Sequence, residues 1–228
     1  DPYELGGYKW HVISDDGINL TLLMDANQLG DNSSMKHCTY DTNASTDCGV
    51  DSTGKYYVYS WDKSLIRTYL NGEFLTNLES KIGNEIISTL ICVDPSRGDN
   101  VATYGGYLKS ELHALGKENE CTNYKSYKVR LISSSEYYNM SPYYTSEDAN
   151  YPKVGNITKA TGNYTSWLYC SSNNCGNSDG WWWTMHPHSS ATFASYVRFA
   201  RYVVGNGYFN DNLSENAYGV RPVITIVK

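Results

Sequence analysis

The chain lacks an apolar run long enough for a bilayer. Its longest apolar stretch, from Glu85 to Val93, is broken by Ser88 and Thr89, whereas a spanning helix needs roughly 18 apolar residues. Insertion of this domain into a membrane is therefore not expected. No two Lys or Arg residues are adjacent, and 18 basic against 24 acidic residues leave a formal charge of -6. Such a surface has little to release counterions from nucleic acid, which excludes DNA and RNA as partners. Charged residues amount to only 18%, too few for a chain held open by self-repulsion, so a folded domain is expected rather than disorder. Repeats with periods of about 20 to 50 residues are absent, which excludes solenoids and propellers.

Gln occurs once, at Gln28, and Phe four times, but there are 22 Tyr and 6 Trp residues. Tyr and Trp offer rigid contact area at low conformational cost, and the abundant Asn and Ser offer adaptable hydrogen bonds, a mixture suited to a recognition surface. At 228 residues the chain fits a single domain, residues 1–228, with a sizeable core.

Six cysteines stand at Cys38, Cys48, Cys92, Cys121, Cys170 and Cys175. The first and last pairs close short polar loops, so pairing in sequence order is expected: Cys38 with Cys48, Cys92 with Cys121, Cys170 with Cys175. That framework implies an oxidising, extracellular or cell-surface setting. Zinc is disfavoured because no C-x-x-C and no His at finger spacing are present. N-x-S/T sequons begin at Asn19, Asn32, Asn43, Asn139, Asn156, Asn163 and Asn212, a weak sign of secretion in a chain so rich in these residues.

Alternation over Tyr8–Ser14 and again over Asn19–Met24, across Asp15-Asp16-Gly17, predicts an opening hairpin. Trp61, Leu65, Ile66, Tyr69 and Leu70 recur at helical spacing and predict a helix over 62–70 that stops at Asn71-Gly72 and buries Leu65, Ile66 and Tyr69. Short helical turns follow over 73–78 and 80–85. A second helix is expected over 107–115 and a strand over 128–133 with a capped turn at 134–136. The last third reads as strands over 181–185, 193–204 and 219–227. The expected class is α+β, with long loops.

Three segments carry a resemblance: Trp61-Asp-Lys-Ser-Leu-Ile-Arg-Thr-Tyr-Leu-Asn71 with Phe74; Val129-Arg-Leu-Ile-Ser-Ser-Ser-Glu136; and Trp182-Trp183 with Pro187, closing on Gly219-Val-Arg-Pro-Val223. In this order they resemble a bacterial family of unassigned function with a C-type-lectin-like fold, related to formylglycine-generating enzymes. The resemblance implies paired N- and C-terminal strands, two helices, a small central antiparallel sheet and long loops. The same broad group includes sugar-binding lectins and the variable proteins diversified by bacterial retroelements, so fold alone does not choose a function. Departures from the family pattern are Tyr69 in place of Trp, Thr184-Met185-His186 in place of L-R-S before the proline, and an expanded stretch over 94–126.

Several motifs reduce to bland readings. Phe209-Asn-Asp211 only echoes a lectin calcium loop, and Asp25–Gly30 imitates an EF-hand without its ligands. Gly176-Asn-Ser-Asp-Gly180 matches a nucleophile elbow but lies between a cysteine loop and a Trp-rich strand, where a turn is expected. No cysteine pair matches the copper site of the formylglycine-generating enzymes. His186 and His188 could supply two metal ligands but have no identifiable third, so surface histidines are preferred. Alternation places Trp182 opposite Trp181 and Trp183, with Trp183 structural. For Arg221 two readings stand: a partly buried guanidinium paired with Glu136, or an exposed one.

The expectation is thus a secreted or surface-displayed bacterial binding module with no cofactor, no bound metal and no catalytic residues. Its partner would be a protein or glycan on another surface, met by Met185, His186, His188, Tyr196, Arg198, Tyr208, Asn210 and Asn212. An enzyme of the formylglycine-generating or metal-assisted kind, and a structural tip module of a pilus or cell wall, are the alternatives.

Overall fold

The computed structural model describes residues 2–39, 61–92, 123–133, 136–137, 181–187, 199–203, 209–213 and 216–228; for 92, 186–187, 199–203 and 209–213 the backbone alone is described. The class is mixed α+β with strands predominant. Strands β1 (Tyr3–Leu5), β2 (Tyr8–Asp15) and β3 (Asn19–Met24) form an antiparallel meander. The expected hairpin is β2–β3. Its turn forms because Asp15 and Asp16 accept from the backbone N–H groups of Gly17, Ile18 and Asn19, at 2.9, 2.8 and 2.6 Å, while Gly17 takes a φ of 89° that L side chains rarely adopt.

Strand β4 (Ser34–Lys36) precedes a short 3-10 turn at Trp61–Lys63. Ser64 then caps helix α1 (Leu65–Tyr69), its hydroxyl accepting from the Arg67 N–H at 3.1 Å. The helix does not stop at Asn71-Gly72. It continues through a π turn, Leu70–Phe74, into α2 (Leu75–Ile82), and ends at Gly83 with φ 72°. The buried stripe explains the π turn. Ile66, Leu70, Phe74 and Leu78 are all buried at a strict spacing of four, which drifts by about 40° per step on a regular α-helix. An underwound turn holds that stripe over the sheet.

Leu65, expected in the core, is half-buried, as is Tyr69; Asp62 lies in the 3-10 turn, where it is bonded to other side chains rather than left to solvent. Ile66→Ala is accordingly expected to cost about 2 to 5 kcal/mol and Leu65→Ala clearly less. Urea unfolding of the two variants checks the order, and equal losses would refute the placement of this face.

The remaining strands are β5 (Ile86–Ile87), β6 (Thr89–Cys92), β7 (Tyr124–Tyr127), β8 (Val129–Arg130), β9 (Trp182–Pro187), β10 (Phe199–Val203), β11 (Phe209–Leu213), β12 (Ala217–Gly219) and β13 (Val223–Val227). One sheet runs β1-β2-β3-β13-β5, with β8 also paired to β13. The terminal strands therefore do pair, Leu22 opposite Ile224 and Leu20 opposite Ile226. A second sheet runs β11-β10-β9-β12-β4, and β6-β7 forms a separate ribbon.

Alternation divides the first sheet between two apolar layers. Leu22, Met24, Ile224 and Ile226 join Trp10 and the helical stripe in the main core, whereas Leu23 and Val223, opposite each other in register, are also fully buried and turn to the other face. The helix expected over 107–115 lies outside the described residues. Among the described residues no helix is long and apolar enough to cross a membrane.

Candidate functional site

The three motifs meet at one junction. Trp182 and Trp183 are both fully buried on β9 and face opposite ways. Trp183 meets His37 at 4.8 Å between ring centroids and Tyr218 at 4.7 Å, and Trp181 also meets Tyr218, at 5.3 Å. Trp182 meets Tyr137 at 5.9 Å and carries the Arg221 guanidinium over its ring at 4.7 Å. The expected alternation is thus what the strand does.

Arg221 is fully buried, which removes the exposed reading, but its partner is not Glu136. Its Nε donates to the Met24 carbonyl at 3.0 Å, and the Met24 N–H donates to the carbonyl of Pro222 at 2.8 Å. Residues 221–222 thereby lock onto β3. Burial pulls the Arg221 pKa down to about 10, with the charges of Asp25 and Tyr137 opposing, so the group stays cationic at neutral pH. Burial would raise the Asp25 pKa, but the hydrogen bond with His11, the Arg221 charge and the Ala26 N–H outweigh it and hold the carboxyl low. His11 Nε2 lies 3.3 Å from Asp25 Oδ1. This His11–Asp25–Arg221 group joins β2, β3 and the segment before β13.

Glu136 is taken by Arg130, six residues earlier. Arg130 Nη1 donates to Glu136 Oε2 at 2.6 Å while Nη2 donates to Oε1, a bidentate fork in a buried setting. Ser133 completes a reciprocal capping box: its N–H donates to the Glu136 carboxylate at 2.9 Å and its hydroxyl accepts from the Glu136 N–H at 3.3 Å. Burial raises the Glu136 pKa, yet Arg130 and Ser133 prevail and hold it below the ordinary carboxylate range.

The first motif is held in the same way. Trp61 packs edge-on to Tyr127 and to His37, at 6.1 and 6.4 Å. Asp62 accepts from Tyr127 Oη at 2.5 Å and from Lys125 Nζ at 2.7 Å, tying the 3-10 turn to β7. Asn71 at the π turn bonds β8 as a strand would: its Nδ2 donates to the Val129 carbonyl at 2.7 Å and its Oδ1 accepts from the Val129 N–H at 3.2 Å. His37, unremarked in the sequence, is the keystone where β4, the helix and β9 meet. It is fully buried between Trp61 and Trp183, and its carbonyl accepts from the Leu65 N–H at 2.8 Å. Its neighbour Cys38 is buried and disulfide-bonded. The pairings expected in sequence order involve Cys48, Cys121, Cys170 and Cys175, which lie outside the described residues.

Of the expected ligand-facing residues, Met185 is corrected. It is 1% exposed and belongs to the main core, because β9 is buried on both faces from Trp182 to Met185. His186 lies further along the same strand. Asn210 and Asn212 lie on β11, opposite Tyr202 and Ala200 of β10, and Arg201 stands opposite Asp211. His188, Tyr196, Arg198 and Tyr208 are outside the described residues. Among the described residues no group of three or more His, Cys, Asp or Glu is placed to share a metal ion.

No curated protein and no solved structure matches the chain. Residues 19–228 match the model of the family described as Domain of unknown function (DUF6273), and the chain therefore belongs to that family.

Proposed function

We propose that this is an extracellular, surface-displayed binding module with a C-type-lectin-like fold, of the kind diversified in bacterial variable proteins. It would take a protein or glycan ligand through residues 186–216. The observation that carries this reading is the division of labour along the chain. The motif residues Trp61, Asn71, Arg130, Glu136, Trp182, Trp183 and Arg221 are spent on contacts inside the framework. That framework anchors β9 and β12, and from β9 the antiparallel pair β10–β11 extends to the end of the second sheet, carrying Asn210 and Asn212. A rigid scaffold that presents a polar, aromatic-rich segment is the layout of a receptor. With Met185 in the core, the face draws on His186, His188, Tyr196, Arg198, Tyr208, Asn210 and Asn212.

The test is a screen of the domain against arrays of glycans and surface proteins, followed by the variant Arg198→Ala/Tyr208→Ala/Asn210→Ala. Binding is expected to be lost with Tm within a few degrees of the parent, and EDTA is expected to leave parental binding intact. Undiminished binding by the variant, or loss of binding in EDTA, overturns the reading.

A further inference from the structure

Gly72 stands inside the helix for no conformational reason that the fold supplies. A Cβ built there meets nothing within 4 Å, and its φ is not in the left-handed region. Gly in a helix interior is nevertheless unfavourable relative to Ala. What glycine does supply is chemical: it leaves the backbone nitrogen after Asn71 unhindered. An Asn followed by Gly is open to attack by that nitrogen on the side-chain amide carbon once the backbone can swing out of the helical arrangement.

We infer that Asn71 is a deamidation site closed by the native fold and opened only when the π turn leaves β8. In the folded chain, Leu70–Phe74 is helical, and the Asn71 amide is pinned at three points: Nδ2 to the carbonyls of Arg67 and Val129 at 3.2 and 2.7 Å, and Oδ1 to the Val129 N–H at 3.2 Å. When the latch opens, hydroxide removes the Gly72 amide proton and the nitrogen adds to Asn71 Cγ. The C–N bond to the side-chain nitrogen breaks as water returns a proton to that nitrogen, releasing ammonia, regenerating hydroxide and leaving a cyclic imide. Water then opens that ring at either carbonyl, to aspartate or to the β-linked isomer. Neither product can re-dock in full: the new carboxylate still accepts from the Val129 N–H but has no donor to offer the Arg67 and Val129 carbonyls, and meets them as a half-buried charge. Deamidation at this point converts a reversible opening into a permanent one.

The protein is held at mildly alkaline pH, native in one sample and in urea in another, and peptide mass mapping follows the conversion at Asn71. The Asn206-Gly207 pair serves as an internal comparison. Conversion at Asn71 is expected at least tenfold slower in the native sample than in urea, where it keeps pace with Asn206. Gly72→Ala is expected to fold normally and to suppress the urea reaction, and Asn71→Asp to lower the urea midpoint. Equal conversion in the native and urea samples, persistence of the reaction in Gly72→Ala, or a parental midpoint for Asn71→Asp would each overturn the inference.

Discussion

Glu136→Ala is expected to remove about 3 to 5 kcal/mol of unfolding free energy, and Arg130→Ala a similar amount. The size comes from the partner left behind. Arg130 is 5% exposed, and without the carboxylate its guanidinium keeps, among the described residues, only the Leu131 carbonyl, at 3.1 Å. Losing Glu136 also removes the carboxylate that accepts from the Ser133 N–H. Replacing both charges at once with apolar residues, Arg130→Met with Glu136→Leu, should recover much of the loss, because desolvation of the pair offsets most of its attraction. The Glu136 carboxyl is held low in the folded protein, so its share is complete at neutral pH and is lost only as pH falls through the folded pKa. Urea unfolding at neutral pH decides the matter, and single variants that each lose under about 1 kcal/mol would contradict it.

The second large effect is a loss of stability on mild acidification, about 2 kcal/mol between pH 7 and pH 5, from His37 alone. Burial pushes its pKa down to about 3, with a backbone hydrogen bond at Thr184 pulling the other way. In the unfolded chain the imidazole returns to about 6.5. The unfolded state therefore binds the proton more readily over the whole interval between these values. Stability is full above the unfolded value and falls with pH below it, by about 1.4 kcal/mol per unit. His37→Phe keeps an aromatic ring between Trp61 and Trp183 and removes the titration. Urea midpoints at the two pH values should diverge for the parent and converge for the variant, and parallel behaviour would refute the assignment.

The opening hairpin was legible because period-two alternation and Asp-Asp-Gly are local signals, and the alternation of Trp181–Trp183 likewise needs only a strand. The helix boundary was not. Asn-Gly reads as a stop, yet Asn71 is held by Val129, 58 residues away, and that partner overrides local propensity. The same limit applies to charge. Arg221 is buried and Glu136 largely so, and each needs a partner, but their sequence does not say which of two arginines reaches the carboxylate; the short turn through Ser133 favours Arg130. Met185 reads as a surface residue because it interrupts a family pattern, although β9 is covered on both faces. His37 gave no signal at all: a lone histidine beside a cysteine becomes a keystone only when Trp61 and Trp183 close on it. The segments that would carry the ligand were read from composition, since Asn, Tyr and Ser mark a contact surface without marking its shape.

Strand β13 occupies the middle of the first sheet, with β3 on one side and β5 and β8 on the other. Its contacts close over nearly the whole chain: the Thr21 and Thr225 hydroxyls, 3.3 Å apart, are separated by 204 positions. During vectorial synthesis, β1 to β3, the helix and β8 all emerge before the strand that joins them. Until Val223–Val227 clears the ribosome, the β3 edge of the meander has no native partner, even with the helix already made. A topology of this kind folds slowly, because loop closure over the full length must be met before the pairing rewards it. The nascent chain is in that interval a natural client for a holding chaperone.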